Sequence, residues 1–156
     1  MASFQLMALA SEPFEALLDQ SDAELEALGV LRVVVDEKPG FPCRVSLADA
    51  EVGETVLSLT YTHHDVSSPY RASGPIFVRM KVPTAMPAPG EIPIMFRHRL
   101  LSLRAYDTAA MLVDAEVVEG TQLEDAIRRL FASANVSYLD IHNAKPGCYD
   151  CRVVRA

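Results

Sequence analysis

His142 and Cys148 bracket the five residues Asn143-Ala144-Lys145-Pro146-Gly147, and each sits at the end of a strand-like run. If 136–142 and 148–154 form a hairpin, side chains alternate across it. Leu139 and Ile141 then share one face with Tyr149, Cys151 and Val153. Tyr138, Asp140 and His142 share the other with Cys148, Asp150 and Arg152. Directly opposed residues have Cβ atoms about 4.5–5.5 Å apart, so His142 stands within reach of Cys148. A base lowers the pKa of a neighbouring thiol, and an acid behind the base orients it. Cys148, His142 and Asp140 therefore outline an activated nucleophile. The plainer reading of the same residues is a small half-buried cysteine and a hydrogen-bonded turn histidine.

Cys148-Tyr149-Asp150-Cys151 is also a Cys-x-x-Cys motif. Zinc there would need His142 and Cys43 as further ligands. Residues three apart on a strand point to opposite faces, and no second Cys-x-x-Cys exists, so no metal is expected. No thioredoxin-like pattern surrounds the motif to suggest a redox pair. His63 and His64 are neighbours that diverge on a strand, and with Asp65 they read as a solvated pair at a strand end.

Arginine supplies the second chemistry. The chain has 11 Arg against 3 Lys. Residues 1–60 carry 11 acids against 3 bases, residues 61–109 carry 3 against 6, and residues 110–156 carry 7 against 5. The middle third is thus a basic island in a chain of net charge -7. Arg71, Ser73 and the Gly74 backbone read as one turn, Arg79 follows on a strand, and Arg97, Arg99 and Arg104 come from the next segment. Guanidinium matches carboxylate or phosphate in two hydrogen bonds, and glycine admits close backbone approach. Tyr70 and Tyr106 could wall such a site. The competing reading pairs Arg104 with Asp107 or Asp114 and leaves Arg79 on a solvated face. No P-loop, dinucleotide fingerprint, Gly-x-Ser-x-Gly elbow or His-Glu-x-x-His occurs, and no two acids form a catalytic pair.

These residues must be held by short elements. Phe4 to Leu9 reads as an opening strand and Glu12 to Asp19 as a short helix capped by Ser11. Ser21-Asp22-Ala23-Glu24 is a capping box, and Gly29 closes that helix. Val30 to Val35, Val56 to Thr62, Ile76 to Val82, Leu100 to Tyr106 and Met111 to Val118 read as strands. Residues 83–93, with four prolines and a glycine, read as a loop with the character of a lid or an exposed excursion. Thr121-Gln122-Leu123-Glu124 starts the clearest helix, whose apolar stripe is Leu123, Ala126, Ile127, Leu130 and Phe131. Many strands and few helices predict an α+β fold: a mostly antiparallel twisted sheet with two or three amphipathic helices packed on it.

The 156 residues suit one domain over 1–156, with half of them apolar and 22% charged. Three cysteines argue against a disulfide framework. No apolar run approaches the ~20 residues of a membrane span, and the start lacks the basic residues of a signal peptide. The expectation is a cytoplasmic protein with no nucleic-acid or membrane partner. The cofactor stays unspecified.

Gly40-Phe41-Pro42-Cys43-Arg44-Val45-Ser46-Leu47, Pro69 to Arg79, Leu103-Arg104-Ala105-Tyr106-Asp107 and His142 to Tyr149 carry a resemblance to a family. Together they resemble the bacterial domain of unknown function 1203, along essentially the whole chain. That resemblance implies a stand-alone bacterial domain and brings no assigned activity. The residues themselves favour binding, with or without turnover, of a small anionic molecule by Arg71, Ser73, Gly74, Arg79, Arg104, Tyr70 and Tyr106. The alternatives are a thiol enzyme using Cys148 with His142, and a non-catalytic interaction module, with a homodimer as one form.

Overall fold

The computed structural model describes residues 3–156. Its strands are β1 (Phe4–Met7), β2 (Leu31–Val34), β3 (Pro42–Cys43), β4 (Ala48–Asp49), β5 (Thr55–His64), β6 (Ala72–Arg79), β7 (Leu100–Tyr106), β8 (Leu112–Glu119), β9 (Tyr138–Asn143) and β10 (Tyr149–Arg155). Helices are few and short: α1 (Glu12–Glu15), α2 (Asp22–Ala27) and α3 (Leu123–Phe131). Among the described residues no helix is long and apolar enough to cross a membrane.

The expected single sheet is two. One has the order β1-β10-β9-β7-β8 and is antiparallel throughout. The other has the order β2-β5-β6-β3-β4 and is antiparallel except where β3 runs parallel to β6. Periodicity identifies strands but not their neighbours. Here β1 pairs with β10 from the far end of the chain, and the first sheet closes without β2 to β6.

Alternation decides what each face of the first sheet buries. Leu101, Leu103, Ala105, Leu139, Ile141, Cys151 and Val153 point to one side, where Phe4 and Leu6 join them. The stripe Leu123, Ala126, Ile127, Leu130 and Phe131 of α3 covers that side. The helix carries Glu124 and Asp125 in its first turn and Arg128 and Arg129 in its last, each sign at the dipole end it stabilises. Its start differs from expectation. A 3-10 turn over Gly120–Gln122 precedes it and no side-chain cap forms. Gly120 is required there, since a Cβ would stand 1.8 Å from the Phe96 carbonyl oxygen.

Two other local expectations change. Ser21 and Glu24 do form the reciprocal capping box of α2. Only Glu12–Glu15 of the first predicted helix is α-helical, and the Ser11 side chain does not cap it. The proline-rich segment is no excursion. Ala85 N–H donates to the Val45 carbonyl, Gly90 N–H to that of Phe4, and the Gln5 amide to that of Pro87.

Candidate functional site

The other face of the first sheet is polar and aromatic. β7 presents Arg104 and Tyr106, β9 presents Tyr138, Asp140 and His142, and β10 presents Tyr149 and Arg152. The end of β5 in the second sheet lies over them. The expected solvated histidine pair is corrected: β5 runs on through both residues, and His64 is fully buried. His64 Nδ1 donates to the Tyr70 carbonyl at 2.8 Å, so its Nε2 accepts from the Tyr138 hydroxyl at 2.6 Å. The ring lies 4.2 Å from that of Tyr106. His63 points the other way along the same face. It stacks on Tyr149 at 5.0 Å and meets His142 edge-on at 5.1 Å.

The hairpin register is also corrected. His142 pairs with Tyr149 instead of standing opposite Cys148, and the register shifts between Tyr149 and Cys151. The extra residue is Asp150. A bulge of one residue moves Tyr149 onto the His142 face, because side chains alternate with a period of two. Asp140 does not orient His142 either. Both its oxygens accept from Arg152, Nε at 2.8 Å and Nη2 at 3.2 Å. Arg152 lies 4.3 Å above the Tyr138 ring as it does so. His142 Nδ1 donates to the Gly147 carbonyl at 3.0 Å, which leaves a bare lone pair on Nε2. Among the described residues that atom is buried with no partner, as is His63 Nδ1. Burial lowers the pKa of His142 to about 3, against the Gly147 bond and with help from Arg104. Burial lowers that of His63 as well, against the attraction of Asp140.

The arginines chosen from sequence are divided. Arg71 is exposed and pairs with Asp65, beside the exposed Tyr70. Arg79 is held by both oxygens of Glu54, at 2.9 and 2.6 Å. Ser73 and Gly74 belong to β6 and not to a turn. Only Arg104 and Tyr106 join Asp140 and His142 on the polar face.

A hollow lies beyond the hairpin loop. It is a groove of about 440 Å³ whose wall includes Arg44, Phe77, Arg99, Asn143, Lys145 and Cys148. Beneath it Arg44 is 1% exposed, its Nε donating to the Tyr149 carbonyl at 2.7 Å and another N–H to that of Pro42. Its Nη2 stands 3.5 Å from Asp150, which is fully buried. Asn143 donates to the same carboxylate at 3.2 Å, while Asp150 Oδ2 and Asn143 Oδ1 have no partner. Burial raises the pKa of Asp150 to about 6, against the pull of Arg44, Arg99 and the Asn143 bond. Arg99 grips Asp49 at 2.6 and 3.0 Å. Lys145 is exposed. Cys148 is half-exposed, whereas Cys43 and Cys151 are buried. Burial pushes the Cys43 thiol to about 12 and that of Cys151 well up.

Sequence reasoning missed Arg44, Arg99 and Lys145 as neighbours because they come from three separate stretches. It passed over Arg44 because a lone arginine between apolar residues carries no periodic signal. Alternation sends neighbouring histidines to opposite faces, but a register shift between Tyr61 and His64 in β5 brings both rings against the polar face.

No curated protein and no solved structure matches the chain. A family model described as protein of unknown function DUF1203 matches residues 40–155, a span that takes in the polar face and the groove. The chain belongs to the DUF1203 family, as the stretches quoted from its sequence led us to expect.

Proposed function

We propose that the protein binds a small organic anion in the groove beyond the β9–β10 loop. One observation carries this reading: Arg44, Arg99 and Lys145 all reach the wall of one hollow of about 440 Å³. That volume lies within the roughly 300–1,000 Å³ of small-molecule sites. Asp49 and Asp150 offset two of the three cations, so the wall keeps an excess positive charge. Phe77 and Leu100 supply apolar surface, which suits a carboxylate or phosphate ester with a hydrophobic body.

Cys148 on the groove wall favours a second role, contact between its thiol and the ligand. Catalysis by that thiol would need a base other than His142, which turns to the opposite side.

Thermal melting against small carboxylates, phosphate monoesters and inorganic phosphate tests the reading. A ligand present at a hundred times its Kd adds about 2.7 kcal/mol of stability, a rise of several degrees in Tm. We expect Lys145→Glu, at an exposed position, to weaken that rise at least tenfold in ligand concentration. Iodoacetamide labelling of Cys148 should slow in parallel. A panel with no active member, or a rise indifferent to Lys145→Glu, would remove the proposal.

A further inference from the structure

We propose that His63, Asp140 and His142 form a site for one divalent transition-metal ion of the zinc type. The site is separate from the groove, so either proposal can fail alone. One ligand atom from each residue lies within 4.8 Å of the other two. His63 comes from the end of β5, and Asp140 and His142 are two apart on β9, so both sheets contribute.

Two buried nitrogens of the cluster lack hydrogen-bond partners among the described residues. His142 is 1% exposed, and its Nδ1 proton is committed to the Gly147 carbonyl. Its Nε2 is therefore an acceptor, and nothing donates to it. Asp140 is fully buried, and Arg152 satisfies two of its roughly four lone-pair positions. His63 Nδ1 is the second buried atom of the cluster without a partner among the described residues. Two buried ring nitrogens without partners, beside a carboxylate with lone pairs to spare, are a costly arrangement in a protein interior. A cation would satisfy both nitrogens and take a free lone pair of Asp140 at once.

The surroundings have the form a metal site needs. A ligating imidazole commonly donates its other N–H to a carbonyl or carboxylate, which fixes the ring and the tautomer. His142 does this through Gly147. A ligating carboxylate is commonly hydrogen-bonded in turn, and Arg152 holds Asp140 with two bonds. Two imidazoles and one carboxylate are a ligand set that zinc accepts, with a further position left for solvent or an anion. Zinc ligands at about 2.0–2.2 Å lie ~3.4 Å apart in a tetrahedron, so the cluster must contract by about an ångström. His63 can supply that movement, since its ring is only half-buried and has no hydrogen bond at Nδ1.

The test is uptake of Zn(II) and Co(II) by the chelator-treated full chain. Metal content is measured after gel filtration, and the cobalt complex by its visible spectrum. We expect one equivalent per chain and a cobalt spectrum without sulfur-to-metal charge transfer. His63→Ala should lower affinity at least tenfold while leaving the metal-free melting curve near that of the parent. Asp140→Asn should lower affinity as well, with some loss of metal-free stability because Asp140 also holds Arg152, and Cys148→Ala should change nothing. No stoichiometric uptake would overturn the proposal. So would a thiolate charge-transfer band, or uptake that survives His63→Ala and disappears with Cys148→Ala.

Discussion

The two faces of the sheet β1-β10-β9-β7-β8 are made by the same strands and differ in what they leave unfinished. The face under α3 is apolar throughout, from Phe4 to Val153, and its stability comes from area removed from water. The face toward β5 buries His142, Asp140, Tyr106 and Tyr149, with His64 above them. A polar interior is stable only when its groups find partners. His64 finds two, while His63, His142, Asn143 and Asp150 each keep one buried atom without any. The first face explains why the chain folds. The unmet atoms lie on and beside the second.

Truncation should separate the two kinds of interior most strongly. Arg44→Met removes the cation facing Asp150 and strands a buried carboxylate, at a cost of about 3–5 kcal/mol at pH 8. The loss should shrink at pH 5, where Asp150 takes up a proton. Ile127→Ala, in the α3 stripe, should cost about 2–5 kcal/mol through the cavity it leaves, and equally at both pH values. Urea melts at pH 5 and pH 8 check the pair. A pH-independent Arg44→Met would break the contrast.

A smaller effect sharpens it. The folded-state pKa of Asp150, about 6, stands above the ordinary 3.8 because burial disfavours the charge. Arg44, Arg99 and the Asn143 bond oppose that rise, and Asp49 adds to it. The folded state therefore holds this proton more tightly than the unfolded chain does. The stability it contributes is complete below pH 3.8 and is lost as pH rises through 6. The range of about two pKa units corresponds to about 3 kcal/mol. Asp150→Asn should abolish that decline, so the parent should lose about 3 kcal/mol relative to the variant between pH 4 and pH 7. Parallel stability curves would show that Asp150 titrates normally.

What the sequence displayed follows the same division. The α3 stripe, the strands of the first sheet and the capping box at Ser21 were legible because burial of an apolar face imposes a period. The polar face was legible in part: Arg104, Tyr106, Asp140 and His142 were all singled out. Their company was not. One bulge residue, Asp150, exchanges Cys148 for Tyr149 opposite His142, and no pattern of hydrophobicity records a bulge. His63 reaches the site through packing of the second sheet on the first, and the groove joins residues near 44, 99 and 145. Such meetings depend on which strands pair, and Arg71 and Arg79 found local acids instead of one another.

Backbone amide NMR spectra, recorded while benzoate or inorganic phosphate is titrated to millimolar levels, test the central claim most directly. We predict saturable shifts at Arg44, Arg99, Asn143, Lys145 and Cys148, with the amides of α3 unmoved. Shifts confined to Arg71 and Arg79, or spectra unchanged by every anion, would contradict the assignment of the groove as the binding site.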